Sequence, residues 1–276
     1  MKKTIGIILA ILITVVIMLL VFIGLLLTGI VNINIDNKIK ETNNNIINNE
    51  PKKDILFDIT YMEEEYNTKS DDGKIVTNNK RNIPVIVSKD RPEVANKIVS
   101  YLTKESDEFW NSNVKPMADQ MIETNIQTDL LGVTHMFSTN LINEYIISFQ
   151  LKTDGSFGGV SWNSISGYNF DAQTGELLSL NDIMSNADDF IANECKDDII
   201  TIAKSSEKEL NENWENEFKN HIINNTKGYY LKKDGISIVF NKYEMEEILG
   251  FLYGFYNINI PKENINNYLK EEYRIK

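Results

Sequence analysis

The clearest pattern in the chain is an alternation of apolar and polar residues between positions 145 and 180. One run places four apolar residues on the same side, namely Tyr145, Ile147, Phe149 and Leu151. After a glycine-rich turn, a second run does the same with Val160, Trp162, Tyr168 and Phe170. A period of two residues predicts β-strands, and Asp-Gly and Thr-Gly pairs predict the turns that join them. We therefore expect β-hairpins at the centre of an antiparallel sheet, each with one buried face.

Further strands and helices are predicted on both sides of these hairpins. Alternation predicts strands at residues 55–61 and 83–87, and again around the turn Asp234-Gly235 and at residues 256–260. Helical spacing predicts a helix that begins near residue 92 and a helical region over residues 187–224, in which Cys195 is a small core residue. Because strands and helices do not follow a strict βαβ rhythm, we predict an α+β fold with antiparallel sheets and helices packed on one face.

The amino-terminal stretch has a different pattern. No charged residue occurs from Thr4 to Val31, and a helix of that length spans about 42 Å, more than the roughly 30 Å hydrocarbon core of a bilayer. A cleaved signal peptide is the competing interpretation, but its apolar region is about 7–15 residues long and ends in a small-x-small site. We therefore predict an uncleaved single-pass anchor in the lipid bilayer, and Lys2 and Lys3 predict a cytoplasmic amino terminus.

These patterns divide the chain into four predicted segments. Residues 1–33 form a cytoplasmic stub and the transmembrane anchor, and the Asn- and Lys-rich residues 34–53 form a flexible stalk. Residues 54–180 form an amino-terminal α+β subdomain, and residues 181–276 form a carboxy-terminal one. The predicted location is the cell membrane, with the carboxy-terminal domain outside the cell.

The charge of the external part narrows the choice of partners. All 40 acidic residues and 26 of the 28 Lys and Arg residues follow the anchor, which gives this part a formal net charge of −14. Such a field repels polyanions and attracts cationic molecules. The sequence therefore predicts no nucleic-acid partner and is compatible with a cationic protein.

Residue types for catalysis are sparse. His135 and His221 are the two histidines, and they lack the spacing of a zinc-binding motif, so we predict neither a metal nor another cofactor. Ser156 lies in a hairpin turn and not in the strand-to-helix turn of a nucleophile elbow. Glu244, with its acidic neighbours, offers carboxylates for a wall hydrolase, which is the less favoured, enzymatic hypothesis.

Aromatic residues beside small ones form the predicted contact surface, because aromatic side chains suit contacts with proteins and sugars. The candidate residues are Ser156, Phe157, Gly158, Gly159, Trp162, Tyr243, Glu244, Phe251 and Tyr253. Trp162 alternates in step with Tyr168 and Phe170, which favours a core position for its side chain. Phe157 and Tyr253 are the stronger surface candidates. We expect a Phe157→Ala variant to bind its partner less well and to remain folded.

Two stretches resemble a known family. The first, GSFGGVSWNSISGYNFDAQTGELLSLNDIM, pairs two glycines with an aromatic-rich strand and then Asp-x-x-Thr-Gly-x-x-Leu-x-Leu-x-Asp. The second is GYYLKKDGISIVFNKYEMEEILGFLYGFYNINIP. Over about residues 54–276 the chain resembles the two-part extracellular module of the anti-sigma-V factor, which also precedes the catalytic domain of PdaC-type peptidoglycan deacetylases. Its second part is the domain-of-unknown-function family 3298.

The resemblance implies an ectodomain that binds lysozyme and thereby triggers release of a sigma factor. Only Met1–Lys3 precede the anchor, so we expect no anti-sigma segment unless the amino terminus is longer, and no deacetylase domain follows the module. We therefore expect a non-catalytic, membrane-anchored domain of a Gram-positive-type cell envelope that binds lysozyme, another cationic protein or a peptidoglycan component. The alternative is an anti-sigma-V-like lysozyme receptor that regulates a membrane partner through its anchor.

Overall fold

A computed structural model of the chain describes residues 38–40, 56–67, 69, 77–123, 131–157, 160–205, 207, 209–241, 244 and 255–276. They belong to a compact unit, Asn37–Lys276. The predicted anchor lies outside the described residues, and no helix within them is long and apolar enough to cross a membrane. The described part has a mixed α+β fold, as predicted.

A six-stranded sheet forms the amino-terminal half of the unit. Its strands, in spatial as well as chain order, are β1 (Lys38–Lys40), β2 (Asp58–Tyr66), β3 (Thr77–Val87), β4 (Leu131–Ile142), β5 (Ile146–Phe157) and β6 (Val160–Asp171). The long hairpin predicted from the alternation is β5–β6, in which Ile147 pairs with Phe170 and Phe157 pairs with Val160. The hairpin is therefore confirmed, and the structure supplies its register.

One strand pair contradicts the prediction of purely antiparallel sheets. β3 and β4 run parallel, with Thr77 opposite Leu131 and Arg81 opposite His135. The described part of the connection between them is helical, and it includes α1 (Pro92–Phe109), a π-helical turn (Trp110–Val114) and α2 (Lys115–Glu123). A helical crossover returns the chain to the same end of the sheet, so the next strand has the same direction as the last.

Helix α1 covers one face of this sheet. Ala95, Ile98 and Leu102 lie three and four residues apart, and all three are buried against an aromatic layer. That layer includes Phe137 of β4 and Phe149 of β5. The spacing places the three side chains on one side of the helix. The sequence pattern predicted this side from Val94, Ile98 and Leu102, and of these Val94 is only partly buried.

The carboxy-terminal half contains a three-stranded antiparallel sheet and short helices. Its strands are β7 (Tyr229–Lys232), β8 (Gly235–Asn241) and β9 (Phe255–Pro261). Its helical elements are α3 (Leu180–Ile183), α4 (Ala187–Phe190), a π-helical turn (Ile191–Cys195), α5 (Lys196–Ser205), α6 (Trp214–Asn224), α7 (Lys262–Ile265) and a 3₁₀ turn (Glu271–Tyr273). Cys195 is fully buried in the core of this half, as predicted.

The predicted single buried face of the central hairpin is wrong. Ile146 and Ser148 belong to the face that was expected to meet solvent, yet both are fully buried. Ile146 lies in the same core as the carboxy-terminal helices, because the second sheet packs over this face. That core also contains Leu141 and Leu178, which precede the predicted subdomain boundary at residue 180. The boundary itself stays a prediction.

Polar groups attach the second sheet to β5 and β6. Asn169 accepts hydrogen bonds from the backbone N–H of Leu231 at 3.0 Å and from the hydroxyl of Ser148 at 2.8 Å. Its amide nitrogen donates to the backbone oxygen of Tyr229 at 2.8 Å. Asn241 bonds with its side chain to both the N–H and the C=O of Ile165, at 2.8 and 3.0 Å. A buried polar interface of this kind is stable because each group has a partner.

We expect the substitution Gly167→Ala to detach β7 from β6. A Cβ atom at this position would lie 1.7 Å from the backbone oxygen of Tyr229, so the two strands would have to separate. The expected loss of unfolding free energy is about 3 kcal/mol or more. Gly132→Ala is the matched control, because its Cβ would meet no atom closer than 3.7 Å. Urea denaturation of residues 37–276 measures both variants, and equal stabilities would contradict the proposed close approach.

Candidate functional site

The described part of the chain contains four of the predicted site residues, namely Ser156, Phe157, Trp162 and Glu244. The other five, Gly158, Gly159, Tyr243, Phe251 and Tyr253, lie outside the described residues. These four residues lie in two separate regions of the structure. Three belong to the end of the β5–β6 hairpin, and Glu244 follows β8.

At the hairpin end, the aromatic side chains lie against the helical side of the sheet. Trp162 pairs with Gly155, and its ring lies directly over that glycine, where a Cβ atom would come within 2.2 Å of the ring. Trp162 and Phe157 are half-buried and pack against a small core beneath the π-helical turn, which contains Trp110 and Val133. Phe157 therefore has a packing role in addition to the surface role predicted for it, and Trp162 is only partly a core residue. Ser156, whose position alternates with theirs, lies on the opposite face of the strand.

A buried cation lies close to this small core. Arg81 is 8% exposed, and its guanidinium is paired with Glu64 at 2.6 Å and with Asp107 at 2.7 Å. It also lies over the ring of Trp110, 5.2 Å from the centroid. The two carboxylates and the ring compensate for the loss of hydration of the charge. Sequence reasoning missed this network, because a lone arginine in an Asn- and Lys-rich strand has no distinguishing pattern.

His135 lies next to Arg81 in the sheet and is 2% exposed. Its Nδ1 shares a hydrogen bond with the hydroxyl of Thr153 at 2.9 Å, and its ring is stacked on Phe109 at 4.5 Å. Its Nε2 has no hydrogen-bond partner among the described residues. Burial, and secondarily the positive charge of Arg81, lower the pKa of His135 from 6.5 to about 4. The imidazole is therefore neutral at pH 7 and stabilises the core through packing.

Glu244 has a structural role at the edge of β6. Its two carboxylate oxygens accept hydrogen bonds from the backbone and side-chain nitrogens of Asn241, at 2.9 and 3.0 Å. Asn241 in turn holds the backbone of Ile165, three positions from Trp162 on the same strand. The exposed carboxylate thus orients the asparagine that links the two sheets. Such bonds occupy one lone pair on each oxygen.

The carboxy-terminal half contains a cavity that sequence reasoning did not find. It has a volume of about 190 Å³ and lies between the helical segment that begins with α4 and helix α6. Its lining includes Asp188, Ala192 and Lys196 from the first segment, and Trp214 and Lys219 from the second. Trp214 packs on the core of this half while also lining the cavity. The sequence signal that could have indicated this cavity is the spacing of Asp188, Ala192 and Lys196, which lie four residues apart and therefore on one side of a helix.

We expect the burial of neutral His135 to make the domain less stable in acid. Its pKa is lower in the folded than in the unfolded state, so its contribution is complete above about pH 6.5 and is lost as the pH falls towards 4. Between pH 7 and pH 5 the loss from this one group is about 2 kcal/mol. Denaturation of residues 37–276 at both pH values, with His135→Gln as the variant that cannot titrate, measures this difference. Equal pH dependence in the two proteins would disprove the lowered pKa.

Comparison with known protein families finds a match in the carboxy-terminal half. Residues 178–263 match the family model DUF3298, which is described as a protein of unknown function. The match includes the cavity and Glu244 but not the hairpin end at Phe157 and Trp162. It confirms the predicted resemblance to family 3298, and it does not extend to the PdaC-type or anti-sigma-V parts. No curated protein matches the chain.

Two crystal structures of DUF3298 proteins are similar to the chain. A member from Bacteroides fragilis has 15% sequence identity and a TM-score of 0.47, and the alignment covers 78% of this chain and 94% of that protein. A member from Pseudomonas aeruginosa has 13% identity and a TM-score of 0.43, with coverages of 79% and 96%. The family match thus shows that residues 178–263 are similar to the DUF3298 family.

Proposed function

We propose that the chain is a non-catalytic binding domain of the cell envelope, tethered to the membrane by its amino-terminal helix, and that it recognises a cationic protein such as lysozyme or a peptidoglycan component. The observation that carries this proposal is the distribution of acidic residues. Residues 187–217 contain ten Asp and Glu residues against three Lys residues. This net charge of −7 is half of the −14 of the whole external part, and it is concentrated between the start of α4 and the first turn of α6.

Most of these acidic side chains face solvent. Eight of the ten belong to exposed residues, among them Asp197, Asp198 and Glu212. Exposed charges of one sign, held on rigid helices, raise the rate at which an oppositely charged protein arrives and favour its binding orientation. Charges on a surface interact over about 10 Å at 0.1 M salt, so this attraction weakens as salt is added. The sequence motifs that resemble the extracellular module of the anti-sigma-V factor make lysozyme the first partner to test.

The hydrogen bonds made by Glu244 favour a binding role for the domain over a hydrolytic one. Glu244 is one of the carboxylates that the sequence offers for glycoside chemistry, and both of its oxygens accept hydrogen bonds from Asn241. A general acid in a glycosidase needs a raised pKa and a free position beside the leaving group. A carboxylate that orients an asparagine at a sheet edge is instead suited to hold the two sheets together.

The membrane tether is proposed from the uncharged run at residues 4–31 and from the two lysines that precede it. A long apolar run without a cleavage site stays in the bilayer, and positive residues stay on the cytoplasmic side. This arrangement places the acidic helices outside the cell, where a secreted cationic protein or the cell wall is within reach.

We expect residues 37–276 to be retained on immobilised lysozyme at 20 mM salt and to be released progressively towards 500 mM, because the attraction is electrostatic. The double variant Asp197→Asn and Asp198→Asn should be released at lower salt than the parent. An acidic protein of similar size, immobilised in the same way, is the negative control. Absence of retention at 20 mM salt would rule out lysozyme as the partner.

We expect Phe157→Ala to weaken retention on lysozyme and to lower the unfolding free energy by about 1–2 kcal/mol, since the ring is half-buried and loses part of its packing. Val160→Ala is the matched control, because Val160 is paired with Phe157 across the hairpin but is 65% exposed. Retention and thermal melting are measured on both variants. Unchanged retention in Phe157→Ala, together with a lower melting temperature, would assign Phe157 to packing alone.

A further inference from the structure

The cavity of the DUF3298 domain lies between two helical segments that run in opposite directions. Lys219 of α6 is paired with Asp188 at 3.4 Å, and Lys196 of α5 is paired with Glu215 of α6 at 2.5 Å. Asp188 and Lys196 lie at the start and end of the first segment, and Glu215 and Lys219 lie in the same order in the second. Since the start of each segment is paired with the end of the other, the two segments are antiparallel. One ion pair therefore lies at each end of the space between them.

A small residue between the two ion pairs creates the space. Ala192 lies midway between Asp188 and Lys196 in the sequence, and all three line the cavity. The apolar wall consists of Trp214, which is half-buried, and Phe218, which is 2% exposed. The volume of about 190 Å³ is below the roughly 300–1,000 Å³ of pockets for drug-sized ligands. A cavity of this volume can hold a single ring of a ligand, but not a whole drug-sized molecule.

The polar lining offers donors and acceptors with little net charge. Three carboxylates and two ammonium groups line the cavity, which leaves a net charge of −1. Lys196 and Lys219 already neutralise Glu215 and Asp188, so an anionic ligand would have to displace one of these carboxylates. The third carboxylate, Asp189, accepts a hydrogen bond from the side-chain amide of Asn186. Asn216 adds an amide that both donates and accepts. Hydroxyl groups also both donate and accept, so they can bind beside these ion pairs without separating them.

We propose that this cavity binds one ring of a neutral saccharide. The apolar face of the sugar ring lies against Trp214, and its hydroxyl groups bond to the charged side chains at the two ends of the cavity. Aromatic walls with a few convergent polar groups are typical of small-molecule sites. The inference rests on the proposed binding function and deepens it, since it names a ligand class and a place in the DUF3298 domain. The expected affinity is weak, with a Kd of about 1–10 mM for one ring.

The test uses the full chain in a sugar-free polyoxyethylene detergent and two probes, glucose and N-acetylglucosamine. Saturation-transfer NMR detects contact with the probe, and a titration measures its affinity. Ala192→Phe fills the space between the ion pairs at an exposed position, so it should weaken binding about tenfold or more while the protein stays folded. Ala192→Ser retains the space and should bind as the parent does.

The variants at Ala192 are preferred to Trp214→Ala, because Trp214 also packs on the core and its loss affects folding. Failure of both sugars to bind at 100 mM would overturn the proposal, as would equal binding by Ala192→Phe and Ala192→Ser. Binding of a zwitterionic probe, free alanine, in place of the sugars would overturn the ligand class. Retention on lysozyme is measured on the same proteins. Lysozyme binding without sugar binding rejects this inference alone, and sugar binding without lysozyme binding rejects only the choice of lysozyme.

Discussion

The architecture depends on the buried hydrogen bonds by which Asn169 joins the two sheets. Its side chain contacts a hydroxyl on β5 and two backbone groups of β7, and it is fully buried. Loss of the side chain would remove the bond to the C=O of Tyr229, at about 1–3 kcal/mol if that group is left unsatisfied, and would leave the N–H of Leu231 with the hydroxyl of Ser148 as its acceptor. A close approach of backbones at Gly167 accompanies these bonds. Since polar bonds require defined distances and angles, they specify how the sheets meet more strictly than apolar packing does.

This junction determines where the candidate surfaces lie. The hairpin end, with Phe157 and Trp162, extends β5 and β6 away from the attachment points at Ile165 and Asn169. The acidic helices pack on the second sheet through the carboxy-terminal core. Glu244 belongs to the junction itself, because it orients Asn241. One residue that the sequence offered for chemistry thus has a structural function, while the hairpin end, the acidic helices and the cavity are the surfaces proposed to contact a partner.

The two proposals describe interactions of different range around the same helices. Exposed carboxylates act over distances comparable with the Debye length and select a partner by its overall charge. The cavity acts only at contact, and its ion pairs neutralise most of its local charge. A cationic protein can therefore be attracted by the acidic segment without entering the cavity. A neutral sugar gains nothing from the long-range field and depends on Trp214 and the space beside Ala192.

By itself, the sequence determined the features that a local period reports: the β5–β6 hairpin, the apolar side of α1, the burial of Cys195 and the family resemblance of the DUF3298 part. Alternation reveals which residues share a face, because the geometry of a strand has a period of two. It does not reveal what lies against that face. Ser148 and Asn169 were expected to meet solvent, since polar side chains usually do, and only the tertiary structure supplied their backbone partners. The parallel pairing of β3 and β4, the ion pairs of Arg81 and the cavity beside Ala192 were likewise decided by tertiary structure, because each depends on residues that are distant in sequence and become neighbours only in the folded chain.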